Sequence, residues 1–290
     1  MGLTTRLLLA ALVLPILGGA APSPEQGYLV IIGGGNRPER VLRQFAELAK
    51  RRGTGRIVVI PNASADPEET GKSQAAELAK YTEQKVDWFN VTKENVNQDE
   101  TLAFFEGAGG IFFSGGVQSR LTDLMNGSRL LDLVRDIYVS GGVIGGTSAG
   151  AAVQSQMMLT GDEKRYSGEE VLQHIEEDNI VTTQGFGFVK DVIIDQHFIR
   201  RSRHNRLISL ILENPDKVGI GVDEQTAVVR YPDNTYEVIG EGQAVIYDAT
   251  EAVIGPDDPK HPHLLSGCDL RLHILREGQV YDMKTRKVVR

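Results

Sequence analysis

The chain has 290 residues, 41% hydrophobic and 24% charged, which is enough apolar material for a sizeable core and no bias toward disorder. Its formal net charge of −8 argues against nucleic acid or an anionic membrane surface as the main partner. Cys268 is the only cysteine, so internal disulfides and multi-thiolate zinc sites are excluded.

The first 21 residues read as a leader. Met1 to Arg6 form a basic start, Leu7 to Leu17 an apolar run, and Gly18-Gly19-Ala20-Ala21 a small-residue exit. That order describes a secretory signal peptide, cleaved near Ala20 or Ala21. A membrane-spanning helix needs about 20 apolar residues, more than this run supplies. The expectation is an exported protein, secreted or periplasmic, without a lasting membrane anchor. Residues 22–290 then form one domain.

From Tyr28 to about Met158, apolar runs alternate with amphipathic stretches. Tyr28 to Ile32 ends in Gly33-Gly34-Gly35, and Pro38 opens a helix through Arg52 with Val41, Leu42, Phe45 and Leu48 at helical spacing. Ile57 to Ile60 is followed by Pro61-Asn62-Ala63-Ser64 and a helix to Lys80. Val86 to Val91 and Gly110 to Phe113 are the next runs. A helix over Gln118 to Tyr138 leads into Gly141-Gly142-Val143-Ile144, and another covers Ala151 to Met158.

Short runs without period-two alternation fit strands covered on both faces. Their alternation with helices predicts a parallel sheet. The fold class is therefore α/β, a doubly wound, mostly parallel sheet sandwiched by helices, with ligands at the carboxyl ends of the strands. The C-terminal portion is β-rich. Val192 to Ile194 reads as a strand and Ser202 to Glu213 as a helix. Val218 to Val222, Thr226 to Tyr231, Thr235 to Ile239 and Ala244 to Tyr247 read as short strands, with Pro232-Asp233-Asn234 as a hairpin turn. The segment after Ile254 has no assignment.

The sharpest local signal is Gly146-Thr147-Ser148-Ala149-Gly150, a Gly-x-Ser-x-Gly elbow between a strand and a helix. A serine lifted out at such a turn has strained backbone angles, and side chains at the flanking glycines would collide. The amide of Ala149 at the helix start then points at a developing oxyanion. A serine hydroxyl needs an adjacent base. Asp195-Gln196-His197 stands where strand Val192 to Ile194 runs out, and the expectation is that this is the same sheet edge that carries Ser148. His197 is placed to take the serine proton. The third member is an acid, Asp223 or Glu224, of which only one can point inward from an extended chain. Ser114-Gly115-Gly116-Val117-Gln118 opens a helix, its amides serving as a second oxyanion donor and Gln118 reaching substrate. Arg200, Arg201, Arg203 and Arg206, four arginines within one seven-residue stretch after His197, point to an anionic or aspartate-bearing substrate.

Together these segments resemble the cyanophycinase family of serine peptidases. The resemblance runs from about Leu29 to Asp248 and rests on Ile31 to Gly35, Phe113 to Gln118, Gly146 to Ala151, Asp195 to Phe198 and Gly219 to Glu224. It implies a fold similar to class I glutamine amidotransferase domains and a Ser148, His197, Glu224 triad. It also implies an oxyanion hole at Gly116 and Ala149 and a pocket of Gln118, Asp195, Gln196, Arg201, Arg203 and Arg206. In that reading Asp195 and the arginines share the work of holding substrate guanidinium and carboxylate. The implied substrate is cyanophycin, a poly-aspartate backbone carrying arginine on its side chains, cut to β-Asp-Arg dipeptides without metal or cofactor. A homodimer is implied as well.

Other readings remain at this level. An aspartyl dipeptidase would share the fold. An esterase would need the order Ser, acid, His, drawing on Asp257 or Asp258 with His261 or His263. A non-catalytic binding protein would keep the pocket alone.

Overall fold

The structure, a computed structural model, describes residues 27–168, 172–256 and 259–290. The expected leader and the acids Asp257 and Asp258 lie outside the described residues. Five parallel strands form one side of the nine-stranded main sheet: β1 (Tyr28–Ile32), β2 (Ile57–Ile60), β3 (Val86–Trp88), β4 (Gly110–Phe113) and β5 (Val143–Thr147). They lie in the order β1-β5-β4-β2-β3. The helices between them are α1 (Glu39–Ala49), α2 (Pro67–Ala79), α3 (Asp99–Phe105), α4 (Gln118–Met125) and α5 (Arg129–Val139), with the short α6 (Ala149–Ala152) after β5.

Both faces of this sheet are covered, which is why its strands read as unbroken apolar runs. Leu29, Ile31, Ile111, Phe113 and Ile144 pack on one side with Leu121, Leu131 and Val134. Val30, Ile32, Val59 and Phe112 pack on the other with Val41, Leu42 and Phe45 of α1. Helix starts follow local chemistry. Asp66 caps α2 by accepting from the Glu69 amide, with Pro67 at the first helical position.

The second half holds β6 (Met157–Glu163), β7 (Ile180–Gln184), β8 (Val192–Gln196), α7 (His204–Glu213) and β9 (Val218–Val222). It continues with β10 (Thr226–Arg230), β11 (Thr235–Gly240), β12 (Gln243–Asp248), β13 (Val253–Ile254), β14 (Gly267–Cys268), β15 (Arg271–Arg276), β16 (Val280–Asp282) and β17 (Lys287–Val288). Strands β10, β11, β16 and β17 extend the main sheet antiparallel beyond β1. Strands β15, β12, β9 and β8 form a separate four-stranded sheet. One face of that sheet joins the main core through Ile194, Ile220 and Ile246. The other carries α7, with Ile193, Val245 and Tyr247 against Leu207 and Ile211.

Four expectations are corrected. Gln118 to Tyr138 is not one helix: the chain breaks at Asn126 and Gly127 (φ +74°), and Ser128 caps α5 by accepting from the Leu131 amide. The helix after the elbow ends at Ala152, and Met157 begins a strand of the β6–β7 hairpin. The helix bearing the arginines begins at His204 rather than Ser202, so Arg203 stands at its N-cap and not on its face. The strand before His197 lies in the second sheet, not in the sheet that carries Ser148.

Candidate active site

Strand register brings the loops together. β5 lies between β1 and β4, with Ile32 opposite Thr147 and Phe113 opposite Gly146. One residue further on, Gly33 and Ser148 leave the sheet side by side, and the Ser148 amide donates to the Ile32 carbonyl at 2.9 Å. Ser148 sits at φ +52°, ψ −111°, a conformation an L-residue holds only under constraint from its surroundings. The constraint is visible at the flanks. A Cβ on Gly146 would meet the Gly150 carbonyl oxygen at 2.2 Å, and one on Gly150 the Phe113 carbonyl oxygen at 2.3 Å. Both glycines are required by backbone contact.

His197 reaches Ser148 from the other sheet. β8 carries Asp195 and Gln196 as its last residues and pairs in parallel with β9, Gln196 opposite Val222. The His197 amide then donates to the Gly33 carbonyl at 2.7 Å, joining the two sheets at their carboxyl ends. After β9 the chain crosses back to the main sheet to become β10, and Glu224 lies in that crossing. The Gln225 amide donates to the Gly34 carbonyl at 2.9 Å and the Gly33 amide to the Thr226 carbonyl at 2.9 Å.

The three side chains form one hydrogen-bonded line. His197 Nε2 lies 2.9 Å from Ser148 Oγ, and His197 Nδ1 lies 2.6 Å from Glu224 Oε1. A carboxylate only accepts, so Nδ1 carries the ring proton and Nε2 is left to accept from the serine hydroxyl. Asp223, the other acid of the pair, turns the opposite way and accepts from the Arg200 amide at 2.9 Å. Burial pushes the His197 pKa below the ordinary histidine value, with the positive charges of Arg201 and Arg203 acting in the same direction and Glu224 opposing. The hydrogen bond to His197 holds Glu224 below the usual carboxylate range.

The Gly33-Gly34-Gly35 loop, to which sequence reasoning gave no role, is the surface against which this line is built. A Cβ on Gly34 would lie 2.3 Å from His197 Cε1, and one on Gly35 would lie 3.1 Å from Glu224 Cβ. Gly34 also has φ +117° and Gly35 φ +68°. The only signal in the sequence was three glycines in succession after a strand.

The remaining predicted residues divide into two groups. Gln196 stands next to the serine, with Arg203 behind it. Gln196 Oε1 is 3.4 Å from Ser148 Oγ and accepts from Arg203 Nη1 at 2.9 Å, which identifies the facing atom as oxygen. Arg203 Nη1 also donates to the Gln196 carbonyl at 2.5 Å. Burial and neighbouring Arg206 lower the Arg203 pKa to about 10, which leaves it charged at neutral pH. Arg201 is exposed, as are Gly116 and Val117.

Asp195, Arg206 and Gln118 are turned inward. Asp195 and Arg206 are 1% and 3% exposed. Arg206 Nε donates to Asp195 Oδ2 at 2.7 Å and its Nη2 to Oδ1, so the pair satisfies itself instead of sharing out two substrate charges. Asp195 Oδ1 also accepts from the Gln196 amide at 2.7 Å. Gln118 is buried, its amide nitrogen donating to the carbonyls of Leu159 and Thr160 at 2.9 and 2.6 Å. The expectation of direct substrate contact through Asp195 and Arg206 is corrected by this burial. Of the two loop glycines, Gly115 is the one against the serine: its Cβ would lie 3.5 Å from Ser148 Cβ, whereas a Cβ on Gly116 would strike the Ala63 carbonyl oxygen at 2.0 Å.

The chain is similar to known proteins along most of its length. Residues 29–238 match the model of peptidase family S51. A cyanophycinase of Synechococcus elongatus is 33% identical over 92% of this chain and 82% of its own length. One of Trichormus variabilis is 31% identical over 92% and 89%. The solved structure of a peptidase from an acI-B1 actinobacterium shares the fold, with a TM-score of 0.64 at 22% identity over 89% of this chain and 97% of that one. The chain therefore belongs to peptidase family S51, among the cyanophycinases, and is a serine-type peptidase.

Proposed function

We propose that this protein is an exported cyanophycinase, a serine exopeptidase that releases β-Asp-Arg dipeptides from multi-L-arginyl-poly-L-aspartate through Ser148, His197 and Glu224. The observation that carries the reading is the unbroken line from Glu224 Oε1 through His197 to Ser148 Oγ, at 2.6 and 2.9 Å, on a serine held at φ +52°. The cyanophycinases above, similar along nearly the whole chain, support the substrate. The leader-like start supports export, and N-terminal sequencing of the secreted protein tests it: residue 21 or 22 is the expected first residue.

In this mechanism Ser148 Oγ bonds to the backbone carbonyl carbon while its proton passes to His197 Nε2. The carbonyl electrons move onto oxygen, which is held by the amides of Ala149 and Gly116. Ala149 is the first residue of α6, where no acceptor exists within the helix for its N–H. Collapse expels the amine, which takes the proton back from Nε2. Water then repeats the sequence on the ester, releasing the acid and restoring the serine. Glu224 holds the Nδ1–H tautomer and stabilises the imidazolium. Arg201, exposed beside this line, is the residue left to meet a substrate carboxylate, with Arg203 orienting Gln196 behind it. A homodimer belongs to the same reading and is tested by light scattering.

Incubation with insoluble cyanophycin, with mass analysis of the soluble products, tests the proposal. β-Asp-Arg is the expected product, and Ser148→Ala should lose at least about 10⁴-fold in rate. Cleavage of free aspartyl dipeptides but not of polymer would replace it with the dipeptidase reading.

A further inference from the structure

The substrate proposed above brings two kinds of charge to the site, carboxylate and guanidinium, and Arg201 answers only the first. The acids on the loops that build the site are already engaged. Glu224 is bonded to His197, Asp195 to Arg206, and Asp223 to the Arg200 amide. Asp66, at the end of the loop after β2, caps α2. A substrate guanidinium calls for a further carboxylate.

The β6–β7 hairpin supplies one. Ser155, shortly before β6, bridges Val189, shortly before β8, in parallel. β6 therefore climbs beside β8 toward the end at which Gln196 and His197 stand. Leu159 of β6 packs in one cluster with Ile193 of β8 and with Phe198, the residue after His197. Beyond Leu159 the pairing with β7 is interrupted. Leu159 lies opposite Thr182 and Glu163 opposite Ile180, so Thr160, Gly161 and Asp162 stand against Val181 alone. Bulges beside active sites re-aim side chains.

This bulge is fastened from two directions. The Thr160 hydroxyl donates to the Val181 carbonyl at 3.2 Å and accepts from the Asp162 amide at 3.2 Å. Gln118, buried at the start of α4, donates to the carbonyls of Leu159 and Thr160. Gly161 takes φ +105°, a conformation that favours glycine. Gln118 itself follows the loop whose Gly115 lies against Ser148. The bulge thus stands between that loop and the end of β8, both of which border the serine. Asp162 on it is exposed, and its carboxylate has no hydrogen bond or ion pair among the described residues. Its neighbour Glu163 is engaged, accepting from the Leu172 amide and from Asn179 Nδ2.

We propose that Asp162 selects arginine in the substrate, its carboxylate receiving the guanidinium of a branch while Arg201 meets a carboxylate. The guanidinium hangs about ten bonds from the scissile carbonyl, a reach on the order of 10 Å. Its partner therefore belongs one loop away from the serine and not beside it. This role of Asp162 rests on the cyanophycinase reading of the same site.

A soluble aspartate oligomer with arginine on every branch, and the same oligomer with citrulline, differ in charge and hardly in shape, and they provide the test. In steady-state kinetics the full mature chain should favour the arginine oligomer at least about tenfold in kcat/KM. Asp162→Asn should remove most of that preference. Asp123→Asn, on an exposed acid further along α4, should leave it at the wild-type value. The preference is a ratio of two rates on one preparation, so partial loss of folded protein does not move it. Equal cutting of both oligomers by the wild type would overturn the role of Asp162. An arginine preference that survives Asp162→Asn overturns this role alone and leaves the peptidase reading standing. Failure of the wild type to cut the arginine oligomer at all removes the cyanophycinase reading and this role with it.

Discussion

Gly34 and His197 are in contact in a way that no other residue type at position 34 could reproduce: a Cβ there would lie 2.3 Å from the imidazole Cε1 and 2.5 Å from Nε2. The ring that faces Ser148 is therefore placed by the absence of a side chain on the neighbouring strand's loop. Gly34→Ala should move the imidazole off its line and lower kcat about 100-fold. KM should change much less, because substrate does not need Gly34 to bind. Steady-state kinetics with circular dichroism separates this from loss of fold, and a rise in KM with unchanged kcat would contradict it.

Glu224 is argued to hold a tautomer. Glu224→Gln keeps the size of the side chain but presents an amide that no longer demands a proton on Nδ1. The expected loss in kcat is up to about 10⁴-fold, as for other orienting carboxylates. Asp223→Asn, on the acid that faces Arg200, should leave turnover within a few-fold of wild type.

His197 must be neutral to accept the serine proton, and its pKa lies below the ordinary histidine value, chiefly through burial. The acid limb of the kcat/KM profile should therefore fall below pH of about 6.5. The sign for Arg201 follows. Its positive charge disfavours the imidazolium, so Arg201→Gln should raise the His197 pKa and move the acid limb to higher pH. A limb that moves to lower pH in this variant, or does not move, would contradict the electrostatic assignment.

Asp195 and Arg206 form a buried bidentate pair behind Gln196. Removing one partner leaves a charge in the interior, at a cost of about 3–5 kcal/mol. Arg206→Met and Asp195→Leu should each destabilise by that order in urea denaturation. The double variant should lose far less than the two costs added together. Additive losses would mean that the charges do not compensate one another.

Ser128 offers a control far from this chemistry. It caps α5 through its hydroxyl, so Ser128→Ala should cost about 1 kcal/mol and leave kcat unchanged. A change in kcat with stability intact would mean that the α4–α5 break is coupled to the site.

The parts of this protein legible in its sequence are those decided by neighbours along the chain. The unbroken apolar runs of β1, β2, β4 and β5 announce strands buried on both faces, because a strand's two faces are written in alternate residues. The elbow at Ser148 announces itself in part because Gly146 answers a local collision with Gly150, four residues further along the same turn. His197 and the acid pair at 223 and 224 were identifiable as strand-end residues, and the family resemblance favoured Glu224.

The rest was decided by contacts between distant segments. Which sheet His197 ends is set by the pairing of β8 with β9, and helical or strand periodicity carries no record of its partner. Glu224 turns inward because the chain between β9 and β10 changes sheets there, held by Gly33 and Gly34. Asp195 and Arg206 read as two charges near a base, and only packing shows that they neutralise each other. An arginine's neighbours in sequence reveal its charge, whereas its partner and its exposure are properties of the folded interior alone.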